Sequence, residues 1–239
     1  MSESIRLDKH LAGLLGCSRG EARKYIEGGW VLVDGAVVER PAFNVSAHKV
    51  TLHADASLEP LEPVTFLLHY PTGYDPTLPM APLDLITAES RAEDDRYGIM
   101  MRKRHFSKLK PTADLESGAT GLLVFSNDAQ VIRRLVDDAN KNEQEYIVEV
   151  DREIDEEMIK KLSQPMKLNH WLLPDSKVSM QSETRLRFAL KYVRPGQIEH
   201  MCESVGLHLV SMRRIRIGRL PMGKLLPGEW KYMPKGMFF

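Results

Sequence analysis

The sequence predicts an α+β protein. A small N-terminal domain over residues 1–60 precedes a larger domain over residues 61–239, whose sheet is mixed and mostly antiparallel with flanking helices. Three observations lead there. Segments with helical apolar spacing alternate with segments of strand-like periodicity, without a regular βαβ repeat. A short, acidic, proline-bearing stretch, Ala54 to Pro63, reads as a linker between the two parts. An apolar content of 43% is enough to build a core.

In the first part, Ile5, Leu7, Leu11, Leu14 and Leu15 fall at the spacing of a short amphipathic helix that Gly16 ends. Ser18 starts a second helix, and Glu21 three residues on completes a capping box. Gly28-Gly29 stops it. Trp30 to Val33 and Ala36 to Val38 flank Asp34-Gly35, a tight hairpin signal, and Lys49 to Leu52 is a further strand.

In the second part, Val64 to His69 is an apolar strand, followed by a turn over Tyr70-Pro71-Thr72-Gly73-Tyr74. Residues 75–110 suit a loop-rich excursion with one short helix around Ala81 to Glu89. Gly121 to Phe125 is a buried strand. A helix is expected over Ala129 to Asn140, capped by Asn127-Asp128, then a strand over Glu145 to Val150 and a helix from Asp155 to Ser163. Arg185 to Val193 reads as a strand, Gln197 to Val205 as a helix ended by Gly206, and Leu207 to Arg219 as the last long strand.

Composition narrows the function. Lys plus Arg and Asp plus Glu are 33 each, so the chain does not coat nucleic acid over its whole surface. The charge is uneven, however. Arg102-Lys103-Arg104-His105, Lys108, Lys110, Arg213, Arg214, Arg216 and Arg219 are basic, while residues 137–157 are rich in Asp and Glu. Cys17 and Cys202 lie far apart and are expected to be free thiols. No apolar run is long enough to span a bilayer, and the first residues lack the apolar core of a signal peptide, so a cytoplasmic location is expected. The eight histidines show no metal-binding spacing, and no metal is expected. Met80, Met100 and Met101 read as gap-filling core.

The candidate chemistry sits in Pro111 to Asp128, P-T-A-D-L-E-S-G-A-T-G-L-L-V-F-S-N-D. Asp114 and Glu116 are two residues apart, which in an extended segment places both side chains on one face. If both were buried, one carboxyl would be raised by the other. The residues alone favour a polar loop capping a core strand over a catalytic pair.

In the first domain, Arg6, Lys9, Arg19, Arg23 and Lys24 are basic, and the last three gather at the start of the second helix, where backbone donors already favour a phosphate. R-L-D-K-H-L followed by S-R-G-E-A-R-K-Y-I-E-G-G-W-V-L-V-D-G resembles the S4-type RNA-binding module over about 50 residues, with Asp34 where Asn is usual. The resemblance implies contacts to structured RNA through Arg6, Lys9, Ser18, Arg19, Arg23 and Lys24, made chiefly to backbone and shape.

The order of motifs downstream extends it. The Pro-x-Gly turn, D-L-E-S-G-A-T-G-L-L-V-F-S-N-D, E-Q-E-Y-I-V-E-V, M-R-R-I-R-I-G-R-L and L-P-G-E-W-K-Y-M follow in the order of RsuA-type RNA pseudouridine synthases, which also begin with an S4-type module. The resemblance implies a pseudouridine-synthase-like sheet domain with a uridine pocket, no cofactor, ribosomal RNA as partner and a monomer. Counting back from Gly121-Leu122-Leu123 puts the family's catalytic aspartate at Glu116 and the motif arginine at Asp114. Tyr146 matches the tyrosine that stacks on the target base, Ile198 the apolar wall, and Arg214 and Arg216 the basic strand of the substrate site. Basic positions of the family have become Gln144, Gly196, Glu199 and His200. Two functions follow: isomerisation of a uridine by a carboxylate of the 114–116 motif, or RNA binding without catalysis on the same scaffold, in ribosome assembly or an RNA stress response.

Overall fold

The computed structural model describes residues 4–239 except 55, 59–61, 72, 96, 98, 100, 107–108, 192, 235 and 238. Thr72, Met100 and Lys108, part of the expected linker and the side chains of Lys103 and Arg104 therefore lie outside the described residues. The chain forms two compact units, Met1–Pro63 with Met100–Lys108, and Val64–Ile99 with Leu109–Phe239. The sequence did not foreshadow that 100–108 joins the first unit. Arg102 explains it: its guanidinium lies 4.3 Å from the Trp30 ring centroid and donates to the Gly29 carbonyl.

The first unit contains β1 (Ile5–Arg6), α1 (Leu7–Leu15), α2 (Arg19–Glu27), β2 (Val31–Val33), β3 (Ala36–Val37), β4 (Asn44–Val45) and β5 (Val50–Leu52). Gly16 ends α1 in the left-handed region at φ 64, donating to Ala12 O. Ser18 and Glu21 form the expected capping box of α2. Asp34 (φ 51) and Gly35 (φ 86) both take the positive φ that a two-residue hairpin needs between β2 and β3. Leu7, Leu11, Ala22, Ile26, Val31 and Val45 form its core.

The second unit contains β6 (Thr65–Tyr70), β7 (Lys110–Ala113), β8 (Thr120–Ser126), α3 (Ala129–Ile132), β9 (Glu143–Val150), α4 (Glu156–Leu162), β10 (Lys167–Leu168), β11 (Trp171–Leu172), β12 (Lys177–Ser182), β13 (Arg185–Lys191), α5 (Gln197–Ser204), β14 (Leu209–Ile217), β15 (Leu220–Pro221) and β16 (Trp230–Tyr232). The main sheet runs β12-β13-β9-β14-β8-β6-β16, with β15 on β14 and β7 on β8. Among the described strands of this sheet, β14 and β8 pair in parallel and the other paired strands run antiparallel. β8 and β6 are interior strands of this order and are buried almost throughout, as their apolar runs require.

Two expected helices come out differently. The excursion around Ala81 to Glu89 forms only a 3-10 turn over Ala81–Leu85. The helix expected over Ala129 to Asn140 is α-helical to Ile132, then continues as a π-turn over Arg133–Asp137 and a 3-10 turn over Ala139–Lys141. There Asn142 Nδ2 donates to Arg134 O at 2.6 Å, supplying from a side chain a partner that the helix ladder would otherwise provide.

The sheet's middle explains the site. β6 occupies one edge of β8 along its length. The other edge is shared: β14 pairs with Thr120 and Gly121, while β7 pairs with Val124 to Ser126. The two strands part beside Leu122 and Leu123. Gly121 permits this junction. Its φ is 101, and a Cβ there would lie 2.2 Å from Arg214 O.

Candidate active site and RNA-facing surface

Glu116 is delivered by a break in regular structure. Residues 114–116 leave β7 and enter a turn in which the Ala119 N–H donates to Glu116 O at 3.0 Å. Gly118 takes φ 74 there. Its N–H donates to Tyr74 O, and the Tyr74 N–H donates to Ala119 O, each at 2.9 Å. Strapped in this way, the turn directs the Glu116 side chain inward, where the residue is 8% exposed. Oε2 accepts the Gly196 N–H at 2.8 Å. Oε1 is buried and has no hydrogen-bond partner among the described residues. Burial raises the Glu116 carboxyl above the ordinary carboxylate value; the Gly196 bond and the Arg214 charge offset part of this, and Glu199 adds to it.

Asp114 does not join Glu116. Outside the extended strand the two-residue spacing no longer forces a common face, and Asp114 Oδ1 instead accepts the Tyr74 hydroxyl at 3.3 Å. The rise at Glu116 therefore has burial as its leading cause, not a paired carboxylate.

Arg214 is fully buried and fills the gap where β7 and β14 separate. Nε donates to Leu122 O at 2.9 Å, Nη1 to Asp114 O at 2.8 Å and Gln144 Oε1 at 3.0 Å, and Nη2 to Ala113 O at 2.6 Å. Opposite it on β9 stands Tyr146, 1% exposed, whose hydroxyl donates to the same Gln144 oxygen at 2.9 Å. Burial raises the Tyr146 phenol; the Arg214 charge opposes this and Glu116 adds to it. Ile198, fully buried on α5, lies two residues beyond Gly196. Glu116, Tyr146, Arg214 and the α5 start thus converge.

Arg216 does not. The β14–β9 register pairs Arg214 with Tyr146 but Arg216 with Glu145, so a bulge between them inverts the alternation. Arg216 donates to Glu143 Oε1 at 2.5 Å and Glu145 Oε1 at 2.6 Å, and Glu145 also accepts from Arg187. It braces the opposite face of β9 instead of reaching the Glu116 side. Alternation read without the bulge would put Arg214 and Arg216 together.

In the first unit, Asp8 organises the cations. It is fully buried and accepts from Arg6 at 2.9 Å, Arg19 at 3.0 Å and Arg23 at 3.3 Å. These contacts hold its carboxyl far below the usual range, the Arg6 hydrogen bond most. The three guanidinium side chains remain about half exposed. Lys9 and Lys24 are exposed beside them in sequence. The Ser18 hydroxyl is engaged in the cap, donating to Glu21 Oε2 at 2.8 Å.

Sequence reasoning missed the Gly196 amide as a partner for Glu116, and the part of Tyr74. A backbone donor leaves no residue-type signal, and Tyr74 lies 40 positions from Asp114. Among the described residues, no group of three or more His, Cys, Asp or Glu could hold a metal ion, and no helix is long and apolar enough to cross a membrane.

One unit thus carries an arginine-bearing module and the other a buried carboxylate–arginine–tyrosine cluster, the two parts expected of an enzyme that acts on RNA. The comparisons with known proteins are specific. Residues 5–50 match the S4 domain. Over 232 residues, 95% of this chain and 92% of the relative, the sequence is 32% identical to an uncharacterized RNA pseudouridine synthase of Aquifex aeolicus. It is 26% identical to the dual-specificity RNA pseudouridine synthase RluF of Escherichia coli, covering 95% of this chain and 75% of that protein. It is 25% identical to the ribosomal small subunit pseudouridine synthase A of Escherichia coli, covering 95% of each. A crystal structure of a pseudouridylate synthase superposes with a TM-score of 0.60 at 19% identity, over 97% of this chain and 96% of that one, which shows the shared fold. The chain belongs to the RsuA-type family of RNA pseudouridine synthases.

Proposed function

We propose that this protein converts a uridine of ribosomal RNA to pseudouridine, with Glu116 as the working carboxylate. Residues 1–60 hold the RNA and residues 61–239 do the chemistry. The observation that carries the reading is the pair of Glu116 oxygens: one fixed by the Gly196 N–H, the other buried without a partner. An orphaned buried carboxylate oxygen is costly unless something arrives to use it.

The reaction breaks the N1–C1′ bond and forms a C5–C1′ bond, with loss of the C5 proton and gain of one at N1. It proceeds without an added group. The nucleotide must leave the stack to reach a buried group. As the N1–C1′ bond lengthens, positive charge develops on the sugar, and an ionised Glu116 in a water-poor site stabilises it. Tyr146 and Ile198 form the walls for the base. The Arg214 charge favours the ionised form of Glu116 against its burial, and Arg214 holds Tyr146 through Gln144. Arg6, Lys9, Arg19, Arg23 and Lys24 hold RNA phosphates. The protein acts as a cytoplasmic monomer.

Pseudouridine mapping by carbodiimide and reverse transcription tests this in cells lacking the gene, complemented with wild type or Glu116→Ala. One pseudouridine should vanish in the deletion and return only with wild type. An unchanged map, with the protein still sedimenting with ribosomal RNA, would leave an RNA-binding protein on a synthase scaffold.

A further inference from the structure

We propose that Trp171 and Arg194 form a stacking platform for an unpaired base of the RNA, flanking the nucleotide that enters the Glu116 site. The proposal rests on the RNA-modifying function above. Trp171 is 58% exposed and its neighbour Leu172 is 67% exposed. A tryptophan normally buries most of its surface, because its large ring gains more from burial than other side chains do. Here the Arg194 guanidinium lies 4.2 Å from the ring centroid, in cation–π contact.

The platform is built on a fixed base. β10 and β11 pair in a hairpin whose turn uses Asn169 at φ 56. The hairpin root is held by the Leu173 N–H, which donates to Met166 O at 2.8 Å, and by His200 Nε2–H, which donates to Lys167 O at 3.1 Å. Leu173 is buried beneath it. The Arg194 N–H donates to Gln197 Oε1 at 3.0 Å, which ties that residue to the start of α5. The ring is exposed although the hairpin that carries it is hydrogen-bonded at its root.

Its position points to the occupant. Arg194 precedes Gly196 by two residues, a span of at most about 7 Å, and the Gly196 N–H holds Glu116. Among the described residues, apart from its chain neighbours, nothing lies within 4 Å of where a Gly196 Cβ would be, so space is open beside the anchor. Lys167 and Lys177 are exposed on the hairpin and the strand that follows, giving cations for a phosphate backbone. An aromatic face with a guanidinium is the chemistry that holds unstacked bases without reading their identity.

Trp171→Ala and Trp171→Phe test the platform with transcribed ribosomal RNA, which carries no modification, as the probe. Filter binding gives the affinity, and release of tritium from RNA labelled with uridine tritiated at C5 gives KM and kcat. Trp171→Ala should bind roughly 5- to 150-fold more weakly, the range expected for one lost base–aromatic stack, with the loss in KM. Trp171→Phe should recover most of it, and tryptophan emission of the wild type should be quenched by RNA. Unchanged affinity in Trp171→Ala would overturn the platform and mark the exposed ring as a surface for another kind of partner. If the wild type forms no pseudouridine while Trp171→Ala still loses RNA affinity, the platform stands and the isomerase reading falls. If the wild type does not bind the probe at all, both fall.

Discussion

Shortening Glu116 by one methylene should slow the reaction even though the product residue is still a carboxylate. In the wild type Oε2 sits 2.8 Å from the Gly196 nitrogen. Glu116→Asp withdraws the carboxylate by about one carbon–carbon bond, ~1.5 Å, which takes that contact to about 4 Å, beyond hydrogen-bonding range. Gly196 cannot follow, because the next two residues, Gln197 and Ile198, are fully buried. A reacting group misplaced by about 1 Å can lose on the order of a hundredfold in rate. The missing methylene costs stability by only about 1 kcal/mol, so the variant should be folded in the assay. Single-turnover pseudouridine formation in transcribed ribosomal RNA should rank wild type first, Glu116→Asp about a hundredfold lower, and Glu116→Gln at background. A Glu116→Asp rate equal to or above wild type would refute the reasoning, because the Gly196 anchor would then not set the position of the carboxylate.

Three further outcomes follow from the same geometry. Burial raises the Glu116 carboxyl, so the folded state binds its proton more tightly than the unfolded chain does; the stability of Glu116→Gln relative to wild type should be near zero below the ordinary carboxylate value, grow as pH rises through the raised value and then level off, as read from thermal unfolding across pH. Gly121→Ala places a Cβ 2.2 Å from Arg214 O at φ 101, and strain plus overpacking of roughly 2–6 kcal/mol should appear as a lowered denaturation midpoint; an unchanged midpoint would mean that β14 yields freely. Arg19→Ala and Arg23→Ala should each weaken binding to ribosomal RNA and flatten the slope of log affinity against log salt by about one unit, whereas an unaltered slope would remove that residue from the phosphate contacts.

Much of this was legible because local chemistry and tertiary structure agree. The capping box at Ser18 and Glu21, the Asp34-Gly35 turn and the apolar run of β8 are each fixed by neighbours in sequence, and each forms where expected. Glu116, Tyr146, Ile198 and Arg214 were named through the family resemblance, and the structure brings Glu116, Tyr146, Arg214 and the start of α5 together. What spacing could not show depends on partners distant in sequence. The bulge that sends Arg216 away from Arg214 exists because β14 pairs with β9, some 70 residues earlier. Asp114 turns to Tyr74 because the chain leaves β7 before it. Asp8 shows the same limit from the other side: its motif was visible, but its gathering of Arg6, Arg19 and Arg23 needs both helices in place.

Arg214 ties the fold to the chemistry, and a lysine there would separate the two. Where β7 and β14 part along β8, the carbonyls of Leu122, Ala113 and Asp114 turn to the guanidinium, and Gln144 supplies a fourth acceptor. A planar fork with five donors can serve all of them; an ammonium has three donors around one point. Arg214→Lys keeps a positive charge in the site but leaves at least one buried acceptor, and by reach two, without a partner. At about 1–3 kcal/mol each, the expected loss is roughly 2–6 kcal/mol, a large fraction of the stability of an ordinary domain. Chemical denaturation measures it, and activity at low temperature, where the variant is still folded, should survive better than in Arg214→Met, which removes the charge beside Glu116 as well. Should Arg214→Lys unfold at the wild-type denaturant concentration, the carbonyls would have donors elsewhere and the guanidinium would serve the site alone.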